Sequence, residues 1–217
     1  MEEDAFQYKQ FHKRRIEHIL FFLSRYVKPG SNVGIIGYSI SDIMIRRSLP
    51  ECAVYNILPS MSFNDGENIP SNRILIYDIN SNGNSDPDFT FDFIIFTEVL
   101  EHLFQDDSLV MSNLVKLLRD GGFLFFSVPN VSALGKLICL LKGENPYMKK
   151  SEIINGVFGG FGHIREYSFR EVKNLLNNDF KIIFLEGWND YSSIFNKLAK
   201  LLPKVYSETI FALCTKL

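Results

Sequence analysis

No apolar run in this sequence approaches the ~20 residues that a membrane-spanning helix needs, and the opening MEEDAFQYKQFHKRR is too charged for an export signal. The expectation is a protein of the cytoplasm with no membrane partner. Basic charge is not in excess either: 23 Lys and Arg stand against 25 Asp and Glu, a formal net charge of -2, with a pI near 6.1. Such a chain lacks the electrostatic footprint of a phosphate-backbone binder, so nucleic acid is not an expected partner. The three cysteines, Cys52, Cys139 and Cys214, lie far apart in apolar stretches. They read as buried thiols in a reducing compartment, not as disulfides or metal ligands. Also missing is the G-x-G-x-x-G fingerprint of nicotinamide-binding domains, and no acidic residue ends the second predicted strand.

What is present suits one globular α/β domain over residues 1–217, since 46% of the residues are apolar and 22% charged. Ile16, Ile19, Leu20, Leu23 and Val27 recur at helical spacing until Pro29-Gly30, which predicts an opening amphipathic helix. The cluster HKRR at 12–15 is read as the solvated polar face of that helix. Val33 to Gly37 is a strand, followed by a helix capped at Ser39 or Ser41. Short apolar runs at 53–58, 73–77 and 91–96 are core strands, joined by the polar loops 59–72 and 79–90.

Asp106 or Asp107 opens a helix carrying Leu109, Val110, Leu114, Leu117 and Leu118, with Gly121-Gly122 as its stop, and FLFFSVP is the next strand. This strand-helix-strand unit has unbroken apolar strands, the mark of a parallel sheet covered on both faces. Ser168 and Glu171 form a capping box before a further helix and the strand FKIIFLEG. A helix near 192–201 and the strand TIFALCTKL complete the pattern. Residues 131–167, with two glycine clusters, follow the C-terminal end of a parallel strand and are a candidate lid over the ligand crevice.

The stretch FDFIIFTEVLEHLFQDDSLVMSNLVKLLRDGGFLFFSVPN resembles the fourth strand, acidic turn, helix, Gly-Gly turn and fifth strand of class I methyltransferases that use S-adenosylmethionine (SAM). FGHIREYSFREVKNLLNNDFKI is similar to a later element of the small-molecule subgroup. The resemblance implies a Rossmann-like seven-stranded sheet, mostly parallel with a final antiparallel strand and helices on both faces. It implies SAM as cofactor, S-adenosylhomocysteine as product, and a small-molecule acceptor; a homodimer or a partner protein is compatible with it.

On that resemblance the glycine turn falls on Gly37, Tyr38 and Ser39, with Ser39 and Ser41 standing where glycines are usual. The usual acidic position in the first strand falls on Ile35, and the ribose-binding acid that ends the second falls near Leu58. Asp78 and Ile79 match the residues beside the adenine, while Thr97 and Glu98 match the turn beside the methionine part. A hydrogen bond to a charged group is worth roughly 1.5 to 3 kcal/mol. Two missing carboxylates therefore correspond to about 3 to 6 kcal/mol, or roughly 100-fold to 10,000-fold in affinity, unless other groups replace them.

Glu98, Glu101 and His102 form E-x-x-E-H, read as a helix-start carboxylate pair with a histidine at the cleft rim, with a divalent ion as the less favoured alternative; no metal is assigned. His102 and His163 are the candidate general bases, because methylating a hydroxyl is easier if its proton leaves as the oxygen attacks. For His163 a structural hydrogen bond anchoring the lid is the alternative. Arg165 is a candidate for a substrate anion, or for pairing with Glu166 or Glu171. Tyr147 and Tyr167, with Phe158 and Phe161, are candidate walls of an acceptor pocket, whereas Phe93, Phe96, Phe123, Phe125, Phe126 and Phe184 are core by their place in strands. Two outcomes stay open: transfer of a methyl group to an oxygen or nitrogen of a small molecule, or an inactive binding or scaffold protein that keeps the fold.

Overall fold

The first amphipathic segment forms α1 (Lys13–Tyr26), and the apolar runs form strands in the expected order. The computed structural model describes residues 13–39, 41–61, 70–83, 86–147, 149–154, 162–189 and 203–217. The strands are β1 (Asn32–Ile36), β2 (Ala53–Leu58), β3 (Ile74–Ile76), β4 (Phe91–Thr97), β5 (Leu118–Pro129), β6 (Phe180–Trp188) and β7 (Thr209–Lys216). They make one seven-stranded sheet in the order β3-β2-β1-β4-β5-β7-β6. Strands β1 to β5 run parallel, and β7 is antiparallel to both its neighbours.

Strand alternation builds two cores, one on each face of the sheet. Phe93, Ile95 and Phe125 turn to the side of α1 and α2 (Ser41–Ser48), where they meet Ile19, Leu23 and Ile45. Ile94, Phe96, Leu124 and Phe126 turn to the other side, covered by α3 (Asp107–Leu117) and α6 (Phe169–Leu176). Between these last two helices lie α4 (Leu134–Leu141) and the short α5 (Lys150–Ile154). Ser168 and Glu171 form the predicted capping box of α6, and Asp106 caps α3.

Three expectations are corrected. Gly121-Gly122 does not stop α3: Leu118 is already extended, at φ -93 and ψ 135, and the glycine pair, with Gly121 at φ 68, instead makes an irregularity within β5, whose pairing with β4 jumps from Leu118 to Phe123. The apolar residues at 117 and 118 are both buried, so the change from helix to strand occurs inside the core and needs no exposed glycine turn. Of the three thiols only Cys214 is buried, and burial pushes it up to about 12; Cys52, just before β2, and Cys139, within the helix Leu134–Leu141, are partly exposed. The expectation of a solvated HKRR face fails at Arg15, which pairs with Glu98. The helix near 192–201, together with Phe158 and Phe161, lies outside the described residues.

Candidate functional site

The parallel strands end on one edge, and the chain order reverses between β1 and β4, the place where open α/β sheets leave a crevice. Gly37, directly after β1, has φ +85, a conformation that side chains resist, and among the described residues a Cβ built there meets Val99 Cγ2 at 3.9 Å. Its N–H donates to the Ile57 carbonyl at 3.0 Å. Asn56 Nδ2 donates to the Gly37 carbonyl at 2.8 Å and to Asp42 Oδ2 at 2.7 Å, and the same carboxylate oxygen accepts from Ser39 N at 3.0 Å. The hydroxyls of Ser39 and Ser41 lie 2.6 Å apart. Arg46 bonds Asn56 Oδ1 and the Val54 carbonyl.

Asp42 is 2% exposed, and burial raises its carboxyl to about 6 against the hydrogen bonds from Ser39 and Asn56 and the charge of Arg46. The turn is therefore wired from below by Asn56 and Asp42, two residues the sequence reading passed over. The signal was there: an asparagine inside the otherwise apolar strand AVYNIL must find partners once buried. Ile35 and Leu58, at 5% and 1% exposure, supply only packing.

Past β3, Asp78 Oδ1 accepts from Asn80 N at 2.9 Å and Ile79 is buried. Asn113 of α3, also unanticipated, holds this segment by donating to the carbonyls of Ile79 and Ser81, both at 3.0 Å. Thr97 ends β4 opposite Ser127. Glu98 has φ 55, a left-handed backbone in a non-glycine residue, the kind of local strain that collects at functional sites. Ser127 Oγ donates to Glu98 Oε1 at 2.7 Å, and Arg15 Nη1 lies 3.8 Å from Oε2.

A second group of polar residues forms where residues 162–167 meet the turn after β4. Glu101 and His102 lie in a short 3₁₀ turn, Leu100–His102, and the Glu101 carbonyl accepts from Ile164 N at 2.8 Å. The rings of His102 and His163 meet edge-on with centroids 5.1 Å apart. His102 Nδ1 faces the Gly162 carbonyl at 3.2 Å, so it carries the proton. Burial pulls the His102 pKa below the ordinary histidine value. His163 Nδ1 sits 2.9 Å from Glu166 Oε1, and Lys136 bonds the other oxygen of that carboxylate. Burial would raise Glu166, but these two partners hold it below the usual carboxylate range.

Of the remaining candidates, Arg165 pairs with Glu171 and lies over the Tyr167 ring. Tyr167 is 2% exposed and donates to Asp107 Oδ1 at 2.8 Å. Tyr147 is exposed, and its hydroxyl is raised by burial first and by the charge of Glu166 second. Tyr38 is partly exposed beside Gly37. Asn130 and Tyr167 form a parallel bridge, so the two ends of segment 131–167 are clamped together at its base. The shallow cavity lined by Arg25, Lys28, Asp92 and Arg119 is at the opposite end of the sheet, under the starts of β1 and β4.

A family model described as a methyltransferase domain matches residues 21–182, most of the chain. The chain belongs to this methyltransferase family. No curated protein matches it in sequence. Among solved structures it is similar to the N-methyltransferase NodS from Bradyrhizobium japonicum WM9 in complex with S-adenosyl-L-homocysteine, at 17% identity and TM-score 0.55, over 95% of this chain and 87% of that one. It is similar to a SAM-dependent methyltransferase from Methanosarcina mazei at 13% identity and TM-score 0.60, over 90% and 97%. It also matches the complex between the Haloferax volcanii Trm112 methyltransferase activator and the putative methyltransferase, at 10% identity and TM-score 0.63, over 99% and 94%. At these identities the likeness is one of fold: the sheet is that of the class I SAM-dependent methyltransferases. Among the described residues, no helix of this methyltransferase is long and apolar enough to cross a membrane.

Proposed function

We propose that this methyltransferase moves a methyl group from SAM to an oxygen of a small molecule, with a nitrogen acceptor as the alternative. SAM, the cofactor of this fold family, supplies a methyl group on a sulfonium. The reading is supported by the placing of Gly37 directly after β1 and of the turn after β4 at the point where strand order reverses, with Val99 of that turn 3.9 Å from a Cβ built at Gly37, and by the packing of His163 on His102. The backbone at Gly37, with no side chain of its own, suits close approach of a nucleoside and amino-acid chain, and the Glu98 carboxylate suits a cation. Asp78 and Ile79 would flank the adenine, and Thr97 would lie beside the methionine. These residues fit the two ends of SAM; no carboxylate at the end of β2 serves the ribose.

In this reading residues 131–167 form a lid that closes over the acceptor, with Tyr147 on its inner side, while Tyr167 and Arg165, held by Asp107 and Glu171, anchor its base and not the acceptor. His163, aligned by Glu166, and His102, kept neutral by burial, accept the proton of the attacking group through their second ring nitrogens. Calorimetry with SAM and S-adenosylhomocysteine tests the reading, and binding of neither at millimolar concentration refutes it. The buried Ile35 and Leu58 favour a second reading, a scaffold with lost cofactor binding. One turnover on any acceptor pool rules that reading out.

A further inference from the structure

Positive charge converges on the cavity at the opposite end of the sheet from the crevice. Arg25 and Lys28 reach it from the last turn of α1 and the loop before β1, and Arg119 reaches it from the start of β5. One carboxylate, Asp92, lines the cavity with them, and both its oxygens are engaged: Oδ1 accepts from Arg119 Nε at 2.6 Å and Oδ2 from Asn32 N at 2.8 Å. The neighbouring carboxylate, Asp120, pairs with Lys216 at 3.2 Å. Among the described residues the side chains of Arg25 and Lys28 have no carboxylate partner, and the Arg25 guanidinium lies 4.1 Å from the centroid of the Phe21 ring. Cations are favoured at the C-terminal end of a helix, which accounts for Arg25 and Lys28 singly. It does not account for Arg119, carried by another strand, turning to the same cavity.

The walls are flat and apolar. Tyr26 and Phe123 line the cavity with ring centroids 5.2 Å apart and planes tilted by 58°, so a planar group can lie against a ring while its charged end meets the cations. The volume, about 240 Å³, is below the roughly 300 to 1,000 Å³ of pockets for drug-sized ligands. It takes one ring and one anionic group, not SAM. Charge selects among anions: Asp92 matches Arg119, so the unmatched Arg25 and Lys28 suit a dianion, and a guanidinium fork beside an ammonium suits phosphate oxygens. We infer that this cavity binds a small aromatic phosphate monoester, whose phosphate carries about 1.5 to 2 negative charges at pH 7. The ligand ties the end of α1 to the start of β5 and stabilises the folded chain by mass action. The site lies apart from the crevice and does not depend on the function proposed above.

The full chain is titrated by calorimetry at low ionic strength with phenyl phosphate, with inorganic phosphate, which lacks the ring, and with benzoate, which lacks the second charge. One saturable site for phenyl phosphate is expected, with a dissociation constant on the order of 0.1 mM, and at least about tenfold weaker binding of the other two. Lys28→Glu should abolish binding and Arg25→Gln should weaken it about tenfold, whereas Lys181→Gln, which removes an exposed cation of β6, leaves it unchanged. All three side chains are exposed, so the variants keep the fold. Phenyl phosphate should raise the melting temperature of the wild type and not that of Lys28→Glu. Absence of saturable binding of phenyl phosphate below about 5 mM, equal affinity for inorganic phosphate or benzoate, undiminished binding by Lys28→Glu, or an equal loss in Lys181→Gln overturns the inference.

Discussion

Asp42 makes the stability of the turn after β1 depend on pH with a sign opposite to that of an ordinary paired carboxylate. Its folded pKa is raised to about 6 because the side chain is desolvated beneath the turn, against about 3.9 in an unfolded chain. The folded state therefore holds the proton more tightly. The associated stability is fully present below the unfolded pKa and is lost as pH rises through the folded one. With 1.36 kcal/mol per unit, the loss between pH 4 and pH 8 is about 2 to 3 kcal/mol. Asp42→Asn keeps an oxygen to accept from Ser39 N and Asn56 Nδ2 and has nothing to ionise. Urea unfolding of both proteins across this range isolates the effect, because all other titrating groups cancel in the difference. The variant should gain about 2 to 3 kcal/mol relative to the wild type between pH 4 and pH 8. A difference that is flat with pH, or that moves towards the wild type, refutes the assignment of a desolvated carboxyl at this position.

Glu98→Gln retains an acceptor for Ser127 Oγ but removes the charge that the proposed function sets against SAM; the dissociation constant of S-adenosylhomocysteine by calorimetry should rise about 10-fold to 100-fold, and an unchanged value would take Glu98 out of the site. Asn113→Ala strips the carbonyls of Ile79 and Ser81 of their shared donor. A loss of roughly 1 to 3 kcal/mol in urea unfolding is expected, with weaker nucleoside binding. Gly187→Ala puts a Cβ 2.0 Å from the Lys204 carbonyl oxygen, so β6 or the 204–206 turn must shift; a loss above ~2 kcal/mol is expected, and a neutral result would show that the two segments are not packed this closely.

Much of the architecture was legible because it is written in local periods. Alternating FDFIIF and FLFFSV faces, the S-x-x-E box before α6 and the Asp106 cap each declare an element within a few residues. The end of α3 was misread for the same reason. A glycine pair is a strong local stop signal, but the hydrogen bonds that β5 makes with β4 start at Leu118 and extend the chain before the glycines are reached. The glycines still turn the chain, with Gly121 at φ 68, but after the helix has ended and within β5.

The site was less legible because its polar wiring is long-range. Arg15 stands 83 positions from Glu98, and nothing in HKRR announces that one of its cations will leave the solvated face. Asn56 and Asp42 are each unremarkable in sequence and become a unit only when β2 lies beside β1. Their union also bears on the missing ribose carboxylate. Asp42 is an acid close to the cofactor turn, yet Oδ2 already serves Ser39 N and Asn56. Ile35 and Leu58, where the family's acids would stand, are packed at 5% and 1% exposure. Restoring a carboxylate at Leu58 would place a charge in a dry core, at a cost comparable to the hydrogen bond it would make. In the proposed function the turn has thus exchanged cofactor-facing polarity for internal bracing, and affinity for the nucleoside would come from the backbone at Gly37 and from the strand ends at Asp78 and Glu98.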